Sequence, residues 1–209
     1  MHKTRLEAFS DGVFAIIITI MVLEIKIPHG ASFAALRPLL PVFLSYVLSF
    51  VYVGIYWNNH HHLLSSTPQI SGAVLWANSH LLFWLSLTPF ATGWMGENHF
   101  ASAPLALYGV VLLGSAIAYF ILQNRLLAVN GPASPLAHAL AGRDWKGWLS
   151  PVLYGVGIAS SFWLPWLAGA AYVAVALLWL VPDRRIERTL AHGRGPHAGA
   201  PVLLEETAP

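Results

Sequence analysis

Long apolar runs decide what this chain can become. The stretch "GVFAIIITIMVL", residues 12–23, carries no charge, and the apolar pattern around it extends from Leu6 to Ile27. In lipid, every backbone N–H and C=O must find its partner inside the protein, so a single run of this kind is a helix. About 20 apolar residues cross the hydrocarbon. Pro28 and Gly30 supply the stop signal. Comparable runs extend from Pro38 to His62, Gly72 to Trp94 and Pro104 to Leu127. A last run, Trp148 to Val181, is too long for one crossing, and "WLPW" (Trp163 to Trp166) divides it in two with a proline flanked by interfacial tryptophans. The sequence thus reads as an all-α integral membrane protein with six transmembrane helices. Charged residues make up 10% of the chain, against about 25% in soluble domains, which leaves little room for a soluble domain.

Lysine and arginine set the orientation. With six crossings, Lys3, Arg5, Arg125, Arg143, Lys146, Arg184, Arg185, Arg188 and Arg194 share one side, and only Lys26 and Arg37 fall on the other. The positive-inside rule places both termini in the cytoplasm. Residues 1–189 form the membrane domain, and 190–209, rich in Gly, Ala and Pro, read as a flexible cytoplasmic tail. The first helix is expected to be retained and not cleaved as a signal peptide, because Glu7 and Asp11 sit where such a peptide is positive. The excess of basic residues belongs to topology, not to nucleic acid: no basic face interleaved with aromatics is present.

The chain has no cysteine, which excludes disulfides and thiolate chemistry. No "GxSxG", "HExxH" or glycine-rich phosphate loop occurs, so no enzyme, cofactor or small-molecule substrate is indicated. "HHH" (His60 to His62) is not a metal site, since successive helical residues point about 100° apart. It reads as interfacial histidines at a helix end. "YVGIY" (Tyr52 to Tyr56) lies inside a continuous apolar span, not on a loop whose carbonyls face ions, and is not a carbonyl filter.

Ionisable groups within a span are costly and mark function or a partner. Glu7 and Glu24 lie near the two ends of the first span, within reach of interfacial water. Asp11 lies deeper. The second helix returns toward the cytoplasm through "YWNNHHH", and the third leaves through "WANSH". Antiparallel packing sets these clusters at the depth of Asp11. The expectation is a network of Ser10 and Asp11 with partners among Asn58, Asn59, Asn78 and His80, fixing helix register. The same residues leave a second class of function open, a proton-coupled transporter with Asp11 and His80 as its relay.

"RLEAFSDGVFAIIITIMVLEI" resembles the first helix of the transmembrane protein 175 family, the lysosomal potassium channel and its bacterial relatives. The hallmark, Arg-x-x-x-Phe-Ser-Asp, is Arg5, Phe9, Ser10 and Asp11 here. "YWNNHH" and "NSHLLFWLSLTPF" extend the likeness more loosely. The resemblance implies one six-helix repeat per chain, as in bacterial members, assembled as a homotetramer in the bacterial inner membrane. It implies a central pore lined by the first helix, with Ile16, Ile20 and Leu23 constricting it and Thr19 adding a hydroxyl. The implied permeant is potassium, passed in preference to sodium.

Helix geometry makes that set self-consistent. At 100° per residue, with Ile16 at zero, Ile20 falls at about +40°, Leu23 at about −20° and Thr19 at about −60°. Asp11 falls at about −140° and Ser10 at about +120°, both off the stripe. Four apolar side chains around an axis form a hydrophobic constriction that gates by dewetting. Glu24, at the outer pore mouth, raises the local cation concentration.

Overall fold

The computed structural model describes residues 3–140 and 145–180, and among them all regular structure is helical. The helices are α1 (Lys3–Leu23), α2 (Leu40–Ser65), α3 (Gly72–Ser86), α4 (Thr88–Glu97), α5 (Ser102–Asn130), α6 (Pro135–Leu140), α7 (Trp145–Ser160) and α8 (Pro165–Leu180). A 3₁₀ segment, Phe33–Leu39, leads directly into α2. Among the described residues, three units are long and apolar enough to cross a membrane: α1, the continuous stretch Phe33–Ser65, and α5. α8 is apolar but shorter. The tail at 190–209 and the basic residues from Arg184 onward lie outside the described residues, as does Arg143.

Two boundaries differ from the sequence expectation. α1 closes at Leu23, short of Ile27. Pro28 biases Ile27 away from helical dihedrals, and a carboxylate at Glu24 meets the negative end of the helix dipole. Beyond the helix, Lys26 is drawn to Glu97 on α4 at 2.6 Å. The third expected segment is two helices, α3 and α4, joined at Leu87. Pro89, in the first turn of α4, has no N–H for a helical bond from the preceding turn. The 3₁₀-type bond from Leu87 N–H to the Trp84 carbonyl (3.2 Å) closes α3 instead. The break between α7 and α8 falls at "WLPW", with Pro165 opening α8.

The apolar interior has two centres. One gathers α1, α3, the C-terminal half of α2 and the C-terminal half of α5 around Phe14, Leu64, Leu81 and Leu122. The other gathers α4, α7, α8, the opposite half of α2 and the N-terminal half of α5 around Tyr52, Met95, Tyr108 and Tyr172. α2 and α5 run through both and join the two centres. α5 ends at Gly131, whose φ of +79° suits a glycine, and the Gly131 N–H bonds to the Leu127 carbonyl at 2.9 Å.

Helix contacts here rely on small residues, as membrane bundles do. Gly96 on α4 lies against the α2 backbone: a Cβ there meets Val42 Cα at 2.7 Å and the Ser45 hydroxyl. Gly155 on α7 has open space around it. Gly96→Ala is therefore expected to destabilise the protein by about 1–3 kcal/mol, the usual range for overpacking. Gly155→Ala should leave stability unchanged or slightly raised. Thermal unfolding of the two variants in detergent checks the contrast.

Candidate functional site

The site is built on α1, whose two faces have different surroundings. Leu6, Ser10, Phe14, Ile17 and Met21 recur at helical spacing and are buried against α2, α3 and α4. Ile16, Thr19, Ile20 and Leu23 lie on the opposite face and are exposed in the protomer, Leu23 at 79% and Ile16 at 57%. The Thr19 hydroxyl points back along the helix to the Ala15 and Ile16 carbonyls, at 3.1 and 2.9 Å. Its hydrogen is engaged there, so its oxygen presents lone pairs to the exposed side.

The four motif residues divide between these faces. Ser10 is fully buried, whereas Arg5, Phe9 and Asp11 are exposed. At 100° per residue, Arg5 falls at about −20° and Phe9 at about +20° from Ile16, so both continue the exposed stripe toward the N-terminal end of α1.

Ser10 begins a directional chain of hydrogen bonds across three helices. The His60 Nε2–H on α2 donates to Asn78 Oδ1 on α3 at 2.7 Å. Asn78 Nδ2 donates to the Ser10 hydroxyl at 3.0 Å. Ser10 in turn donates to the Leu6 carbonyl at 2.8 Å. Because Oδ1 can only accept, this arrangement puts the proton of His60 on Nε2. All three side chains are buried, and Phe14 packs its ring 5.5 Å from that of His60.

The remaining polar candidates are placed differently from expectation. Asp11 stands outside the buried chain and accepts from Trp57 Nε1 at 3.0 Å. Its depth along α1 is matched by an indole on α2, which no spacing argument singled out. His80 is exposed and accepts from Trp84 Nε1 on its own helix at 3.0 Å. Asp11 and His80 thus each take a different indole, and no contact joins them among the described residues. Asn59 enters through its backbone carbonyl, which accepts from Tyr119 at 3.3 Å, and Asn58 is half-buried beside it. His60, read from sequence as interfacial, is the buried member of its trio: it shares a helix face with Ser49, Val53 and Leu64, all buried. His61 is exposed, and no group of three metal-ligating side chains converges among the described residues.

A second hydrogen-bonded chain, absent from the sequence reading, ties α2, α4 and α5. Thr92 donates to the Thr88 carbonyl at 2.7 Å, which leaves its oxygen to accept from Ser49, also at 2.7 Å. Ser49 then accepts from the Tyr108 hydroxyl at 2.9 Å. No buried side-chain polar atom lacks a partner among the described residues.

At the far end of α1, Glu24 leans toward α4, with its carboxylate near Gly93. The Lys26–Glu97 pair lies beside it. The hydrogen bond and the charge of Glu97 raise the Lys26 ammonium above its ordinary range. Its contribution is therefore present at neutral pH and is lost as pH rises through that raised value. The pair is solvent-exposed, so its effect on stability is small. Glu97→Gln should lower the pH at which Lys26 titrates, measured by carbon NMR of labelled lysine Cε.

An all-α bundle with membrane-length helices, buried hydrogen-bonded braces and an exposed apolar stripe on its first helix defines a multi-pass membrane protein. Comparison with known proteins narrows the class. Residues 5–89 match the family described as endosomal/lysosomal potassium channel TMEM175. A protein of Chryseobacterium sp. (strain P1-3) named potassium channel is 56% identical over 190 residues, 91% of this chain and 98% of that protein. The crystal structure of a lysosomal potassium-selective channel TMEM175 homolog from Chamaesiphon minutus superposes with a TM-score of 0.73 at 31% identity, over 85% of this chain and 95% of that one. The human protein named endosomal/lysosomal proton channel TMEM175 is 35% identical over 103 residues, 44% of this chain and 20% of that protein. The chain belongs to the TMEM175 family, a family of channels and not of enzymes.

Proposed function

We propose that this chain is a potassium-permeable channel that assembles as a homotetramer, with α1 lining a central pore. The observation that carries the reading is the stripe Ile16, Thr19, Ile20 and Leu23. It is apolar but for one hydroxyl and turned away from the protomer's own core. In a fourfold ring, Ile16, Ile20 and Leu23 form successive apolar collars. Such collars exclude water when narrow and admit most readily the ion that dehydrates most easily. Thr19 contributes an acceptor oxygen between them. Glu24 lies at the outer mouth, where a ring of carboxylates concentrates cations. The α3–α4 pair, α7 and α8 complete six crossings, with both termini on the cytoplasmic side of a bacterial inner membrane.

The test is passive flux through purified protein in liposomes. Fast potassium flux exceeding that of sodium is expected. Slow, saturable flux driven by a pH gradient would favour the proton-coupled transporter instead, and no flux would leave a scaffold. Cross-linking in the same membranes should yield a tetramer.

A further inference from the structure

Between α2, α5, α7 and α8, remote from the α1 stripe, lies a cavity of about 210 Å³. A protein cavity of about 150 Å³ is already enough to bind benzene. Seven of the fifteen described lining residues are aromatic, with Tyr56, Tyr119, Tyr154 and Trp179 among them. Ile117, Phe120 and Trp148 also line it and are exposed, so the cavity can be reached from outside the bundle.

Several of its polar groups are bonded within the bundle, among them the Tyr52 hydroxyl, which donates to the Tyr172 carbonyl. Tyr119 donates to the Asn59 carbonyl, and Trp179 donates to Ser150 at 2.8 Å. Those groups are engaged. Asn59 and Gln123 line the same space and are half-buried, and their side-chain amides make no hydrogen bond among the described residues. No Asp, Glu, Lys, Arg or His is among the described lining residues.

We infer that this cavity is a binding site for a small neutral aromatic molecule bearing one N–H or O–H, of the indole or phenol class. The described lining residues carry no charge to pair with an ion, and the nearby Lys146 ammonium lies over the Trp179 ring, 5.9 Å from its centroid, so the site favours a neutral guest. The rings of the wall favour an aromatic guest, because offset and edge-to-face ring contacts stabilise beyond the area they bury. The two amides supply the acceptor for a single donor. A lipid acyl chain would answer none of these features except apolarity. The site also has a route to the pore helix: Asn59 on its wall precedes His60, which is bonded through Asn78 to Ser10 on α1.

Binding of 5-fluoroindole to the full chain in lipid nanodiscs, followed by fluorine NMR, tests the assignment without any measurement of ion flux. Saturable binding is expected, displaced by unlabelled indole more readily than by 1-octanol. Ala116→Phe, which fills the cavity, should abolish it. Gln123→Leu should weaken it by about three- to tenfold, the equivalent of one neutral hydrogen bond. N-methylindole, which lacks the donor, should bind the unaltered protein more weakly by a similar factor and lose little further in Gln123→Leu. This last comparison stands even if Ala116→Phe does not assemble. The assignment is overturned by an absence of saturable binding, by equal binding in both variants, or by stronger displacement by 1-octanol, which would mark an acyl-chain site.

Discussion

Ile16→Asn is expected to lower the potassium-to-sodium permeability ratio by about tenfold, a loss of about 1.4 kcal/mol of discrimination. In the proposed tetramer, isoleucine matters for what it lacks. Four branched side chains around an axis offer an ion no oxygen, so the ion's own dehydration cost decides passage. Sodium holds its water more tightly than potassium and is hindered more. Asparagine has similar bulk but brings a carbonyl dipole and an amide, and four copies replace lost water for either ion. The benefit is larger for sodium, and the ratio falls while total flux rises. Val22→Asn is the control. Val22 is also exposed on α1, but it falls at about −120° from Ile16 and so lies off the stripe. It should leave the ratio unchanged. Reversal potentials in planar bilayers under a potassium–sodium gradient measure both variants. An unchanged ratio in Ile16→Asn would remove that residue from the constriction.

How far the sequence revealed this arrangement depends on the kind of signal. The long helices were legible because hydrocarbon imposes a length on them, and α5 and the body of α2 lie where the apolar runs put them. The break at Pro165 was legible too, since a run too long for one crossing must divide. The break at Leu87 was not: a run of ordinary length with Thr88–Pro89 inside reads equally well as one kinked helix. The exposed stripe on α1 followed from 100° periodicity once Ile16 was chosen, but periodicity did not choose it, because α1 is apolar on nearly every face. That choice came from the Arg-x-x-x-Phe-Ser-Asp motif. Ser10 and Asn78 were expected in one network and are bonded to each other. The burial of His60 is hidden in "HHH", which reads as three like residues at a helix end. Its spacing from Ser49 and Val53 held the missing signal, for those residues share its buried face. The bond of Trp57 to Asp11 had no sequence signal, since an indole in a span reads simply as apolar.

Asn78→Leu should destabilise the folded protein by about 1–3 kcal/mol, the cost of orphaning a buried hydrogen-bonding group. The orphan can be named. Ser10 keeps its own donor bond to the Leu6 carbonyl, so it loses only an incoming contact. His60 loses the acceptor for Nε2–H while remaining 2% exposed, and it carries most of the cost. Replacing both partners should therefore be milder than replacing one. In His60→Phe with Asn78→Leu no buried donor is stranded, and the new ring can pack on Phe14 as the imidazole does. A thermal-unfolding cycle over the two single variants and the double variant should give a coupling of about 0.5–3 kcal/mol, the range for residues in direct contact. Asp11→Asn should by contrast have a small effect, because an amide oxygen still accepts from Trp57 at an exposed position. Equal costs for Asn78→Leu and the double variant would mean that packing, and not the hydrogen bond, holds α1 to α2 and α3. The prediction reaches function through geometry: Ser10 and Ile16 are on opposite faces of one helix, so the chain of bonds that fixes the first also sets the rotation at which the second is presented.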